Sequence, residues 1–322
     1  MLKTVAVIGA TGQQGGSVAR ILLASKKWNV RAITRSADSQ AAKALAKLGT
    51  EIVVADVTNE ASLVEAFRGA HAIYSMTNFW GPIFQGVPLK EAGELEEAQG
   101  ILQARAASQT PTLEHFIWST LLDADRLSGG KIPVLHWDYK AHVDDYIQKE
   151  LPALAAKTTY LFFGMYADSM INQPVLTPLE TPHTGVYAWH LPTRADAYVS
   201  LTGDINVTPG IWVRQILANP EKSLGKYAAV FTEVKTFQEM MDDWMAVTGK
   251  RGVIVPVSNE VCIELWGPFG LDVARQLRFG EIHPDWTISV KDRFVGPEEL
   301  GIKLEERLGH KHALEVAFKN KG

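Results

Sequence analysis

An apolar run that breaks into glycines at residue 9 constrains this chain more than any other stretch. Thr4-Val5-Ala6-Val7-Ile8 is β-branched and apolar, the pattern of a strand buried on both faces. Gly9-Ala10-Thr11-Gly12-Gln13-Gln14-Gly15-Gly16 follows, and Val18, Ile21 and Leu22 then recur at helical spacing. Strand, glycine turn and helix in that order allow a tight turn and leave free N–H groups at a helix N-terminus, where a pyrophosphate can be held. Gly9, Thr11, Gly12, Gln13, Gln14 and Gly15 are the expected contacts to it. A glycine-rich turn without a ligand is the alternative.

The alternation of strand and helix continues. Val30–Thr34 reads as the second strand, with Arg35 just past its end. An acidic residue there suits the ribose of NAD, whereas arginine suits the 2′-phosphate of NADP. NADP(H) is therefore the expected cofactor, with an ordinary solvated charge as the other reading of Arg35. Asp38 is expected to cap the next helix, which carries Ala41, Leu45 and Leu48. Residues 51–55 form the third strand. Asp56 and Val57 at its end read equally as adenine-side contacts or as a turn. Thr58 or Asn59 caps the third helix. Residues 71–76 form the fourth strand, and Thr77-Asn78-Phe79-Trp80 follows at its carboxyl end, where ligands of open parallel sheets lie. Leu95, Ala98, Leu102 and Ala106 then mark a helix, and residues 114–118 a fifth strand ending in Ser119-Thr120.

At this point the residues carry a resemblance. The glycine turn, Thr34-Arg35, Thr77-Asn78-Phe79-Trp80 and His136-Trp137-Asp138-Tyr139-Lys140 together resemble the NmrA-like family of atypical short-chain dehydrogenases. Gly203-Asp204-Ile205, Gly225-Lys226-Tyr227, Thr236-Phe237-Gln238-Glu239 and Val247-Thr248-Gly249-Lys250 extend the likeness over nearly the whole chain. The resemblance implies a Rossmann-type doubly wound parallel sheet with a smaller α/β C-terminal lobe. It also implies that Lys140 holds the nicotinamide ribose, that Ser119 stands at the place of a catalytic serine, and that Gly164 and Tyr166 pass the nicotinamide amide. The usual Tyr-x-x-x-Lys of such enzymes is departed from, because position 136 is histidine. Spacing i, i+4 puts His136 and Lys140 on one helix face. Imidazole can exchange a proton near neutrality; a local hydrogen bond at a helix start is the bland alternative for His136.

At 322 residues and 46% hydrophobic content the chain can bury a large core and divide into two lobes. The expected division is 1–165, with 194–220 packing back on it, against a smaller lobe of 166–193 and 221–322. Asn172 to Thr193 reads as irregular, Tyr227–Phe231 as a strand of the smaller lobe, and Lys303 to Lys321 as a solvated helix. Trp80 and Trp137 are candidates for a substrate-pocket wall, with Trp189 and Tyr166 as weaker ones. A net charge of −4 gives no ground for nucleic-acid affinity, and Cys262 alone rules out an internal disulfide. No His/Asp/Glu spacing suggests a metal, and no apolar stretch is long enough for a membrane span. A cytoplasmic protein is expected, or a nuclear one should it be a regulator. Two functions follow: an NADPH-dependent reductase of a carbonyl, imine or activated alkene, with Lys140, His136 and Ser119 as its catalytic set, or a non-catalytic NADP(H) sensor that binds a protein partner.

Overall fold

Fourteen strands form in chain order among residues 2–320, which the structure, a computed structural model, describes. They are β1 (Lys3–Ile8), β2 (Trp28–Thr34), β3 (Glu51–Val54), β4 (Ala72–Ser75), β5 (His115–Thr120), β6 (Thr158–Phe163) and β7 (Met165–Tyr166). There follow β8 (Leu179–Thr181), β9 (Val186–Leu191), β10 (Tyr198–Gly203), β11 (Tyr227–Val230), β12 (Glu233–Thr236), β13 (Arg251–Pro256) and β14 (Phe294–Val295).

Eight of them make one sheet in the order β14-β11-β6-β5-β4-β1-β2-β3, and every pairing in it is parallel. Parallel strands need helical crossovers, which cover both faces and explain why Val5, Ala6 and Val7 are all fully buried. Alternate residues feed opposite layers: Ala6 and Ile8 join Phe67, Phe116 and Trp118 on one side, while Val5 and Val7 join Val18, Leu22 and Trp212 on the other. The winding reverses between β1 and β4, so a crevice opens at their carboxyl ends. Two smaller sheets, β12-β10-β7 and β13-β9-β8, are built from the later strands. The helix Thr208–Ala218 lies against the helix Gln13–Ser25, where the Gly210 N–H donates to Ser17 Oγ at 3.0 Å.

Several expectations change here. Tyr227–Val230 belongs to the large sheet, paired with β6, with Tyr160 and Tyr227 stacked at 4.7 Å, and β14 extends it further. A short apolar strand reads the same in either sheet, so its pattern cannot assign it. The stretch 172–193 is not irregular throughout, since β8 and β9 lie within it. Ser39 rather than Asp38 caps the helix Gln40–Lys47, accepting from the Ala42 N–H; Asp38 pairs with Lys43 instead. Asn59 caps the helix Glu60–Phe67. The helix Leu89–Ser108 turns Leu95 to solvent and buries Ala92, Glu96, Gly100 and Gln103. The helix His310–Lys319 buries His310, Ala313 and Leu314, so it is not a solvated tail; Lys321 lies outside the described residues.

His115 at the start of β5 is buried, and burial depresses its pKa to about 3. It stays neutral in the fold while an unfolded chain takes up a proton below about pH 6.5. Stability is thus complete above about 6.5 and declines as pH falls toward 3, by up to about 1.4 kcal/mol per pH unit from this group. Urea unfolding at pH 7 and pH 5 should show a smaller pH-dependent loss in His115→Gln than in the parent chain.

Candidate active site

Gly9 ends β1 with φ +70°, a region open chiefly to glycine, and its carbonyl accepts the Gly12 N–H at 2.8 Å to close the turn. Gly12 is the N-cap of the helix Gln13–Ser25; no side chain caps it and no acidic residue occupies the first turn. Thr11, Gly12 and Gln13 are exposed. The first N–H groups of a helix of this length, with no capping side chain and no acidic residue in its first turn, suit an anion. Gly15 serves close packing of the turn, because a Cβ there would fall on the carbonyl oxygens of Gly9 and Ile8. At Gly12 a Cβ meets only the Gly9 oxygen, at 3.3 Å. Gly12→Val should therefore fold yet lose dinucleotide binding, whereas Gly15→Val should fail to fold. Circular dichroism with calorimetric titration of NADP checks both; normal binding by folded Gly12→Val would put the phosphate elsewhere.

Gln14, the second residue of that helix, reaches across the crevice. Its Oε1 accepts from Tyr74 and Ser119 hydroxyls, each at 3.0 Å, and its Nε2 donates to the Tyr166 hydroxyl. Burial pushes the Tyr166 phenol up to about 12, so it stays protonated. Gln13 donates to Asp168 at 2.7 Å. Arg35 is exposed just beyond β2, with no hydrogen-bond or ion-pair partner among the described residues. Asp56 forms a turn, its Oδ1 accepting from the Thr58 N–H and hydroxyl; these bonds hold its carboxyl below the ordinary range. Val57 is half-buried against the core.

The helix Leu135–Glu150 runs its first turns along the segment after β4. Lys140 meets Thr77: its ammonium donates to Thr77 Oγ1 at 2.7 Å and pairs with Glu96 Oε1 at 2.7 Å, with the Trp118 ring 5.8 Å away. Thr77 also donates to Glu96 at 2.8 Å. One turn earlier, the His136 ring lies 4.9 Å from Trp80 and 5.9 Å from Phe79. Its Nδ1 is 2.5 Å from Asp272 Oδ2. Asp138 fastens the preceding loop by accepting the N–H groups of Ala124, Asp125 and Val134; burial pushes its carboxyl up to about 6 against the pull of those donors. Asn78 is exposed and accepts the Gly81 N–H.

These contacts sort the expected residues. Lys140 and His136 share one helix face beside Thr77, Phe79 and Trp80. Ser119 instead bonds to Gln14, together with Tyr74 and Tyr166. Gly164 offers nothing to a ligand through its N–H, which donates to Thr202 Oγ1 at 2.8 Å, and a Cβ there would strike the Ser200 carbonyl. It packs closely against β10. Trp137 is core rather than pocket wall, 2% exposed and packed against Trp286 and Phe279. Trp189 is fully buried as well. Trp80 stays at the site, half-buried, and meets Phe269 edge-on at 5.0 Å.

Three participants escaped the sequence reading. Glu96 is one of several acids on its helix, and nothing local marks it as the buried one. Phe269 comes from a distant segment. Asp272 had a readable sign: it is a lone carboxylate between Gly270-Leu271 and Val273-Ala274.

Comparison with known proteins bears on the arrangement. A model described as the NmrA-like family matches residues 1–281. The NmrA-like family domain-containing oxidoreductase notA of Aspergillus sp. (strain MF297-2) is 32% identical over 276 residues, 80% of this chain and 76% of the relative. Among solved structures, NmrA, a negative transcriptional regulator, in complex with NADP superposes with TM-score 0.75 at 22% identity, covering 100% of this chain and 97% of that one. Triphenylmethane reductase of Citrobacter sp. complexed with NADP(H) gives TM-score 0.65 at 20% identity, covering 95% and 100%. At those identities the two structures speak to the fold.

Proposed function

Because the chain belongs to the NmrA-like family, we propose that it is an NADPH-dependent oxidoreductase that reduces a carbonyl, imine or activated alkene of a small organic substrate. The observation that carries this reading is the pair His136–Asp272 set one helical turn from Lys140, along Thr77–Trp80 at the switch point of the sheet. An oxidoreductase name on the relative and NADP in the two solved structures point the same way.

The residues fit the cofactor. The uncapped N-terminus at Gly12 would take the pyrophosphate, Arg35 the 2′-phosphate, and Lys140 the nicotinamide ribose. NADPH, when bound, supplies a hydride. Phe79 and Trp80 exclude water from the side of the imidazole they cover, and Phe269 backs Trp80. His136 holds the proton that a reduced substrate needs, and Ser119 presents its hydroxyl near the glycine turn.

Cofactor choice is the first check. Guanidinium and phosphate make a charge-assisted, often bidentate contact. NADP(H) should bind at least about tenfold more tightly than NAD(H), equivalent to about 1.4 kcal/mol, and Arg35→Ala should remove most of the preference. Equal calorimetric affinities in the parent chain would contradict it. The function itself is tested by incubating the protein with NADPH and a panel of carbonyls, imines and activated alkenes, following the absorbance of the reduced nicotinamide. Consumption that depends on substrate supports the reductase. A sensor, the reading that the regulator's full-length superposition favours, predicts tight NADPH binding with no turnover and a protein partner whose affinity differs between NADP⁺ and NADPH.

A further inference from the structure

We propose that Asp272 is a positioning residue, which fixes His136 as the tautomer protonated on Nδ1 and thereby assigns Nε2 as the nitrogen that exchanges a proton with substrate. The proposal rests on the reductase reading for its role and on geometry for its substance.

Asp272 lies in the helical stretch that follows the break at Gly267 within Asn259–Ile282, 136 residues from His136, and is 1% exposed. Both of its oxygens are engaged. Oδ1 accepts the Leu135 N–H at 2.8 Å, at the first residue of the helix that carries His136, and Oδ2 faces His136 Nδ1 at 2.5 Å. A carboxylate only accepts, so Nδ1 must carry the proton. One side chain thus holds the helix start and the ring on it. A negative charge at a helix N-terminus is itself favourable. No protein group among the described residues bonds Nε2. The groups facing the ring are Phe79 and Trp80 from the segment after β4, Trp137 from its own helix, and Asp272; Lys140, one turn on, is tied to Glu96.

The proton step balances. The substrate oxygen, nitrogen or carbon that has gained electrons from the hydride of NADPH forms a bond to the Nε2 proton of the imidazolium. The Nε2–H bond breaks and its electron pair stays on the ring. His136 is left neutral with Nδ1–H still donated to Asp272, and water later returns a proton to Nε2.

Asp272→Asn turns the arrangement around. The Leu135 N–H still demands an acceptor, so the amide oxygen faces it and the NH₂ faces His136. Nδ1 must then accept, and the neutral ring moves its proton to Nε2. The experiment is multiple-bond ¹⁵N–¹H NMR on histidine-labelled protein without cofactor, at a pH where the rings are neutral. The parent should show His136 protonated on Nδ1 and Asp272→Asn should show it on Nε2; Nε2–H in the parent, or no change in the variant, overturns the proposal. If the variant does not fold, the parent spectrum alone decides. With a turned-over substrate, Asp272→Asn should slow turnover by ~10²–10⁴-fold while NADPH affinity stays within about twofold, and Asp272→Glu should recover part of the rate. Unchanged turnover in Asp272→Asn overturns the role. Absence of turnover in the parent would count against the reductase reading, and the tautomer would still be read from the spectrum.

Discussion

Lys140→Ala is expected to cost about 3–5 kcal/mol of folding stability, the usual result of removing one partner of a buried ion pair. The Lys140 and Glu96 side chains are 11% and 1% exposed, and Glu96 Oε2 is buried without a hydrogen-bond partner. Among the described residues, the carboxylate is met by the ammonium and by Thr77. Deleting the lysine strands a charge in the interior. Glu96→Gln combined with Lys140→Met removes both charges and should recover most of the loss. Urea unfolding of the parent, single and double variants makes the comparison. A loss below about 1 kcal/mol in Lys140→Ala would mean that the pair is hydrated. The same substitution should weaken NADPH binding, since Lys140 is the proposed ribose contact. A fall in activity on its own would therefore not isolate a catalytic role, so the stability measurement has to accompany it.

His136→Ala is expected to slow the chemical step by roughly 10²–10⁴-fold, the ordinary worth of a positioned acid, with NADPH affinity nearly unchanged. In the parent, only imidazolium carries a donatable Nε2 proton. Single-turnover kinetics with and without His136 separate this from a binding effect. Unchanged turnover would remove the imidazole from the mechanism and direct attention to Ser119, whose hydroxyl now donates to Gln14.

The glycine turn, the first five strands and the carboxyl-end segment Thr77–Trp80 were legible because each is local: a period of apolar residues, a punctuation by glycine, a position relative to a strand end. The place of β11 and β14 in the large sheet was not, because strand order is decided by pairings between distant residues. The site divides in the same way. His136 and Lys140 could be found from their spacing. Glu96 and Asp272, which hold them, lie 44 and 136 residues away along the chain. Trp137 misled for a related reason: it sits beside His136 in sequence, yet on a helix successive residues point about 100° apart, and this one points into the core.

The central claim is that the crevice carries a hydride from NADPH to an organic acceptor. NADPH bearing deuterium at the transferring carbon of the nicotinamide, mixed in single turnover with the protein and an acceptor from the panel, tests it most directly. Mass spectrometry should find one deuterium in the product and none in the Gly12→Val control. A product without deuterium, or the same labelling in the control, would contradict the account.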